Sequence, residues 1–379
     1  MKIFIPRETL PDEMRVPMLP SDVQKLVKKG ADVEIESGLG ATCNFTDEMY
    51  EKAGAKTTKD RKAFFSSAEM VLRLRKPALE EVLLLKKGSI HVSYLDPFNE
   101  RQLIQTLAEQ GVSAICMEMI PRTTLAQKMD ALSSQASLGG YAAVILAAER
   151  LNKVFRMMMT PAGTIQPARV FIIGAGVAGL QAIATAKRLG ARVDAFDTRP
   201  VVAEQVKSLG ARFVQVDLGE IGQTKDGYAK ELTPAQLQKQ RETMAEVCAQ
   251  ADVVITTAQV FGKKSPLIVT REMVAGMKPG SLIVDMAIEG GGNVEGSASG
   301  REVIVNGVRI IGLNNLPARV SVHASQMYSA NLTSLIEHFW NDETRTFDLN
   351  LDDDIIKGCL VTHNNAIHNE MLKKHYKRE

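Results

Sequence analysis

The sequence predicts an α/β protein of two lobes, each a parallel sheet with flanking helices. Long helices link the lobes, and the second is a Rossmann dinucleotide-binding domain. Three observations carry this expectation. The chain has 379 residues, and at about 100–200 residues per domain two domains are the natural division. Short β-rich segments alternate with helical ones in both halves, the pattern of a parallel sheet with crossover helices. A glycine turn of dinucleotide-binding type follows a strand in the second half and has no counterpart in the first.

The elements follow in chain order. KIFIP (2–6), DVEIES (32–37), MVLRLR (70–75), SIHVSYL (89–95) and SAICMEM (113–119) read as strands. SDVQKLVKKG (21–30) reads as a helix with Ser21 as N-cap and Gly30 as its stop. The Ala- and Leu-rich stretch 131–156 reads as a long buried helix bridging the lobes. A second α/β unit opens at 168, with further strands in ARFVQVD (211–217), ADVVITTA (251–258), GSLIVDMA (280–287) and VRIIGL (308–313). Residues 218–234, polar and without periodicity, read as a long loop, and loops of that length are often functional. A lid over a ligand and a disordered insertion are both open readings. After residue 320 the pattern turns helical and ends in a short polar tail, with a final helix expected to return to the first lobe. The expected domains are 1–131 with 326–379, and 132–325.

Composition bounds the function. Apolar residues make up 45% and charged residues 24%, an ordinary globular balance. A net charge of +2 gives no electrostatic footprint for nucleic acid. The four cysteines form no CxxC and suggest neither a disulfide framework nor a zinc site. Of six histidines, His363 and His368 stand five apart without companion ligands, so no metal site is expected. The N-terminus lacks the apolar core of a signal peptide. The run 170–180 reads as the longest apolar stretch and is short of a membrane span, so a soluble chain is expected.

Gly174, Gly176 and Gly179 form G-x-G-x-x-G between the strand RVFII and the helix AGLQAIATAKRLG. The next strand, RVDAF, runs into Asp197, eighteen residues past Gly179. The first glycine makes the tight turn, the second lets backbone approach a pyrophosphate, and the third packs helix on strand. The pyrophosphate would then sit at Val177 and Ala178, on the free N–H groups and dipole of the helix start. Asp197 would accept hydrogen bonds from the adenosine ribose and repel a 2′-phosphate, which favours NAD(H) over NADP(H). Thr198 and Arg199 follow, and the charge of Arg199 works against that preference. Thr257, Ala258 and Gln259 stand at the strand end opposite the pyrophosphate, where open α/β sheets bind ligands. VDMAIEGGGN (284–293) brings the carboxylates Asp285 and Glu289, three glycines and Asn293. Either this strand end lies near the nicotinamide or it is a glycine turn closing the sheet.

A second polar set stands at 121–144, PRTTLAQKMDALSSQASLGGYAAV, which carries Arg122, Gln127, Asp130 and Ser133 but no histidine, cysteine or carboxylate pair. Together with GAGVAGLQAIATAKRLGARVDAFDTRP, DGYAKE, MKPGSLIVDMAIEGGGN and NLPARV, it closely resembles the NAD(H)-binding component of proton-translocating NAD(P) transhydrogenase, over essentially the whole chain. The resemblance implies a two-lobed, usually dimeric component, cytoplasmic and peripheral on the inner face of the membrane. It would dock on an NADP(H)-binding component and on membrane-embedded proton-channel subunits. Hydride would pass directly between NADH and NADP⁺, coupled to proton movement. By resemblance, Arg122, Asp130 and Ser133 hold the nicotinamide end of NAD(H), and Gln127 reaches toward the partner nucleotide. Tyr228 and Ala229, in DGYAKE, fold over bound nucleotide. Hydride transfer moves no proton at the reacting carbons, so positioning groups suffice and a histidine base would be idle.

This chain departs from the family at Leu125, often basic there, and at Val260 and Phe261, where Ile-Pro is usual. A related reading is alanine dehydrogenase, which needs an Arg, a Lys and a His. Arg15 matches the first, but Arg75 and Asp96 stand where the Lys and His would be. Arginine does not deprotonate, and an aspartate is a poor proton donor at neutral pH. A non-catalytic NAD-binding regulator is the third reading.

Overall fold

The computed structural model describes residues 1–216 and 233–377. The chain forms two compact units, Met1–Gln135 with Pro317–Glu379, and Ala136–Leu316. The first division falls inside the helix Ala131–Arg150. The second lies nine residues before the expected 325/326 boundary. The helix Ser321–His338 buries Tyr328, Leu332, Leu335 and Ile336 in the first core, so the whole helix goes with that unit.

The first unit holds an eight-stranded sheet ordered Ala366–Ile367, Leu360–His363, Ser113–Cys116, Ile90–Ser93, Met70–Leu72, Lys2–Ile5, Asp32–Glu36 and Lys56–Thr58. Its six N-terminal strands are parallel, as alternating strands and helices require. Leu360–His363 and Ala366–Ile367 add an antiparallel edge in place of the expected polar tail. The segment 70–75 yields only Met70–Leu72 as strand, and 113–119 turns into a 3₁₀ helix at Met117–Met119. The first helix is Pro20–Lys28, not 21–30. Pro20 occupies its first turn, where a missing N–H costs nothing, and Leu19 is the N-cap, so Ser21 does not cap it. Gly30 does end it, at φ +87.

The second unit holds a seven-stranded sheet ordered Arg212–Phe213, Arg192–Phe196, Arg169–Ile173, Val253–Thr256, Leu282–Asp285, Val308–Gly312 and Arg301–Val305. All pairs are parallel except the last. The chain leaves Arg169–Ile173 for the strand on one side and later returns to the strand on the other. That is a topological switch point, with a crevice beyond the strand ends. The strands are buried on both faces, in two cores.

One helix, Ala131–Arg150, is long and apolar enough by length and composition to cross a membrane, which corrects the choice of 170–180 as the longest such stretch. Half of it is buried within the protein, and Ser134 and Gln135 on it hydrogen-bond to Asn331 and Arg15, as in a core helix.

Candidate functional site

The glycine turn leaves the end of Arg169–Ile173 with Gly174 at φ +97, a conformation that a side chain resists. A Cβ on Gly174 would stand 2.5 Å from Thr257 Oγ1, and one on Gly179 would stand 1.8 Å from the Gly174 carbonyl oxygen. Both positions are therefore closed by the protein itself. Gly176 is the opposite case, because a Cβ there meets nothing within 4 Å. Gly176 is also the N-cap of the helix Val177–Arg188, and no side chain caps that helix. Its first N–H groups and its dipole are left facing open space, an anion seat. Val177 is exposed and Ala178 half-buried at that seat.

Thr257 holds the turn from the neighbouring strand. Its N–H donates to the Ile173 carbonyl at 2.8 Å and its hydroxyl to the Gly174 carbonyl at 3.2 Å. Asp197 lies past the end of Arg192–Phe196. It accepts from the Ala175 N–H at 2.7 Å and from the backbone and guanidinium of Arg199. Burial opposes the charge on Asp197, but these hydrogen bonds prevail and hold its carboxyl below the usual range. Thr198 and Arg199 are exposed.

The third strand end is a buried polar frame. Asp285 is fully buried and accepts from Thr256 Oγ1 and from the N–H groups of Ala287, Asn293 and Val294. Asn293, also fully buried, accepts from the Ala258 N–H at 3.1 Å and donates to the carbonyls of Ala258 and Pro266, both at 2.8 Å. Its side-chain amide is thus used within the protein, and it shapes the crevice by fixing Ala258. Glu289 is exposed, so the two carboxylates of this segment differ completely in surroundings. Gln259 is exposed and donates to the Met286 carbonyl at 2.9 Å.

The polar set of the first unit sits on a 3₁₀ turn, Leu125–Met129, anchored by buried Ala126 and Met129. Asp130 ends the turn and starts the next helix. Its carboxylate accepts from the Ser133 N–H at 2.9 Å and the Ser133 hydroxyl at 2.6 Å, an N-cap bond plus one more. Arg122 and Gln127 are exposed, and their side chains make no hydrogen bond among the described residues. Leu125 is exposed as well, at 62%. Sequence reasoning missed Asn331, which donates to the Lys128 carbonyl and accepts from the Ser134 hydroxyl, both at 2.7 Å. Nothing local signals it, because it lies some two hundred residues away in the chain. Tyr228 and Ala229 lie outside the described residues. The expected loop ends at Thr233, which caps the helix Pro234–Gln250.

Arg15 is buried, with a forked pair to Glu13 and a bond from Nη1 to Gln135 Oε1 at 2.8 Å. Arg75 pairs with the same Glu13 at 2.7 Å, and Asp96 faces Lys76 and Asn99. These groups fix the fold of the strand ends and include no proton donor for an amino acid. Among the described residues no group of three or more His, Cys, Asp or Glu is placed to hold a metal ion.

The chain matches the alanine dehydrogenase/PNT N-terminal domain over residues 4–139 and the C-terminal domain over residues 143–370. It belongs to the alanine dehydrogenase/PNT family. The resemblance in the motifs therefore holds, and membership carries nicotinamide-nucleotide binding and the oxidoreductase class. Within the family, the chain is 42% identical to the first portion of NAD(P) transhydrogenase subunit alpha of Rhodospirillum rubrum, itself a separate chain, over 97% of each. It is 32% identical to alanine dehydrogenase of Bacillus subtilis, over 78% of this chain and 72% of that one. The crystal structure of transhydrogenase from Sinorhizobium meliloti is 39% identical and superposes with a TM-score of 0.85, covering 98% of this chain and 100% of the other. The word subunit in the first relative's name implies partner chains.

Proposed function

We propose that this chain is the NAD(H)-binding subunit of proton-translocating NAD(P) transhydrogenase. It passes hydride directly between NADH and NADP⁺ held on a partner component, coupled to proton translocation by membrane-embedded subunits. The observation that carries this reading is the open helix start at Gly176, framed by Gly174, Gly179 and Thr257 with Asp197 beyond. That frame fits a dinucleotide, since a Cβ would fill the closed positions and only the ligand side is free.

The nicotinamide supplies the hydride. The helix N-terminus at Val177 and Ala178 holds the pyrophosphate, and Asp197 receives the adenosine ribose. Thr257, Ala258 and Gln259 line the opposite strand end, with Asn293 fixing Ala258 from behind. Arg122, Asp130 and Ser133 hold the nicotinamide end, and Gln127 reaches the partner nucleotide. Asp130 is held by Ser133 as an acceptor and Arg122 stays charged, so the set orients rings and moves no proton. Tyr228 and Ala229 close over the nucleotide.

The placement we propose is cytoplasmic and peripheral, on the inner face of the membrane through the partner subunits. We propose a homodimer as well. The hairpin Met158–Thr160 with Gly163–Ile165 is exposed along both strands, with Met159 at 77% and Ile165 at 46%. A lone two-stranded hairpin is marginal in water, and a second copy covering it would stabilise it.

The test mixes the purified chain with an NADP(H)-binding component, NADPH and an NAD⁺ analogue, and follows exchange optically, with L-alanine plus NAD⁺ in a parallel well. Exchange that needs both proteins, with a silent alanine well, is the expected result. Gln127→Asn then slows transfer about tenfold or more while NADH affinity stays within about twofold, because misplacement costs rate before it costs binding. Turnover of alanine would overturn the reading and turn attention to Arg75 and Asp96.

A further inference from the structure

We propose that Arg199 is a specificity-determining residue that competes with the nucleotide for Asp197, so that NAD(H) binds by displacing the Arg199 guanidinium. This rests on the reading of residues 174–197 as an NAD(H) site and adds what that reading does not contain. A ribose-binding carboxylate needs free acceptor positions. Asp197 has none. Oδ2 takes the Ala175 N–H at 2.7 Å and Arg199 Nη2 at 3.0 Å. Oδ1 takes the Arg199 N–H at 2.8 Å and Arg199 Nε at 3.0 Å. A carboxylate oxygen offers about two lone-pair positions, so both are filled.

The four donors are not equally movable. The two N–H groups belong to the backbone beside the glycine turn and stay. The guanidinium stands on a long side chain that is 54% exposed, whereas the Asp197 side chain is 7% exposed. Swinging the guanidinium into water frees one position on each oxygen, and the two ribose hydroxyls of NAD(H) then occupy them. The cost of breaking the pair is subtracted from NAD(H) affinity. That cost is small but real, because one partner is well solvated.

The displaced group remains two residues from Asp197. A 2′-phosphate on the ribose would meet the repulsion of Asp197, but also a planar, always-charged fork suited to phosphate. Arg199 thus weakens the preferred ligand and supports the rejected one. It narrows the discrimination that Asp197 alone would impose.

The full chain and its Arg199→Ala and Arg199→Lys variants are titrated calorimetrically with NADH, NADPH and ADP-ribose, with thermal melting of each as a folding control. Arg199→Ala is expected to bind NADH and ADP-ribose about threefold tighter, the size of an exposed ion pair. It is expected to bind NADPH at least about tenfold more weakly, the loss of a charged phosphate contact. Arg199→Lys keeps the charge without the fork, so NADH tightens while NADPH binding largely survives. Unchanged or weaker NADH binding in Arg199→Ala, with an unchanged melt, overturns the inference and leaves the NAD(H) reading standing. Failure of the unmodified chain to bind either NADH or ADP-ribose overturns both. If Arg199→Ala melts early, Arg199→Lys decides: tighter NADH binding supports the competition, and unchanged binding removes it.

Discussion

In the first unit the carboxyl ends of the parallel strands are closed by the protein's own charges; in the second, the central strand ends in glycine and open backbone. Glu8 accepts from the N–H of Leu74 at 2.7 Å, just past Met70–Leu72. Glu36 accepts from the Arg7 N–H at 2.8 Å and pairs with Arg61. Glu118 accepts from the N–H groups of Leu95 and Asp96, and Glu13 joins Arg15 to Arg75. In the second unit Asp285 and Asn293 perform this service at one strand end only, and the helix start at Gly176 has no side-chain cap. Both sheets are mainly parallel and topologically able to bind ligands at that edge. What separates them is which groups satisfy the strand-end N–H donors. Internal carboxylates fill the first crevice with structure; their absence at Gly176 leaves the second for a phosphate.

The largest effect that bears on this contrast comes from Glu13→Gln. The Glu13 side chain is 0% exposed and Arg15 only 3%. Without the carboxylate, Arg15 is a buried cation with one remaining side-chain partner, Gln135, and stability falls by about 3–5 kcal/mol in urea unfolding. The same pair predicts an acid dependence. Burial pushes the Glu13 pKa up, but Arg15 and Arg75 outweigh it and bring it down to about 2. An unfolded glutamate titrates near about 4.3. Between those values the unfolded chain holds the proton and the folded chain does not. The contribution is complete above about pH 4.3 and is lost as pH falls through about 2, at roughly 3 kcal/mol in all. Glu13→Gln removes that part of the profile. A variant within about 1 kcal/mol of the parent at pH 7 would mean the first crevice is not held shut by this pair.

The glycines sharpen the second side of the contrast. In Gly179→Ala a Cβ must displace the Gly174 carbonyl, so we expect a stability loss of about 3 kcal/mol or more together with loss of NADH binding. Gly176→Ala meets no atom of the protein. It should melt like the parent yet bind NADH about tenfold or more weakly, since its Cβ stands where the pyrophosphate approaches. Parent-like affinity in Gly176→Ala would move the anion seat elsewhere.

How much of this was legible depended on range. The glycine turn was, because its three contacts lie within a few residues of one another and the spacing itself encodes them. So were the parallel strands, whose apolar runs need no knowledge of their neighbours. Asn293 and Glu289 show the limit. Both stood in one Gly-rich segment, but only the folded chain reveals that one amide is spent on Ala258 and Pro266 while the other side chain faces water. Leu360–His363 was missed because four residues in a polar stretch become a strand only by pairing with Ser113–Cys116, far back in the chain. Ser21 looked like a cap because the start signal was read without Pro20, which sets the backbone one residue earlier.

Asn331 gives the smallest of these effects and the finest test of how the first unit serves the site. It carries nothing toward a ligand, yet its one amide ties the turn bearing Gln127 to the helix that starts after Asp130. Asn331→Asp keeps the acceptor for Ser134 and removes the donor to the Lys128 carbonyl. The lost bond costs about 1 kcal/mol of stability. If the amide positions the turn, transfer to NADP⁺ slows about fivefold or more at saturating nucleotide while NADH affinity stays within about twofold, because a small misplacement of Gln127 raises the barrier without weakening the grip. Asn331→Ala, which also leaves the Ser134 hydroxyl without this partner, slows it further. A variant that melts earlier but transfers hydride at the parental rate would make Asn331 a residue of the core alone.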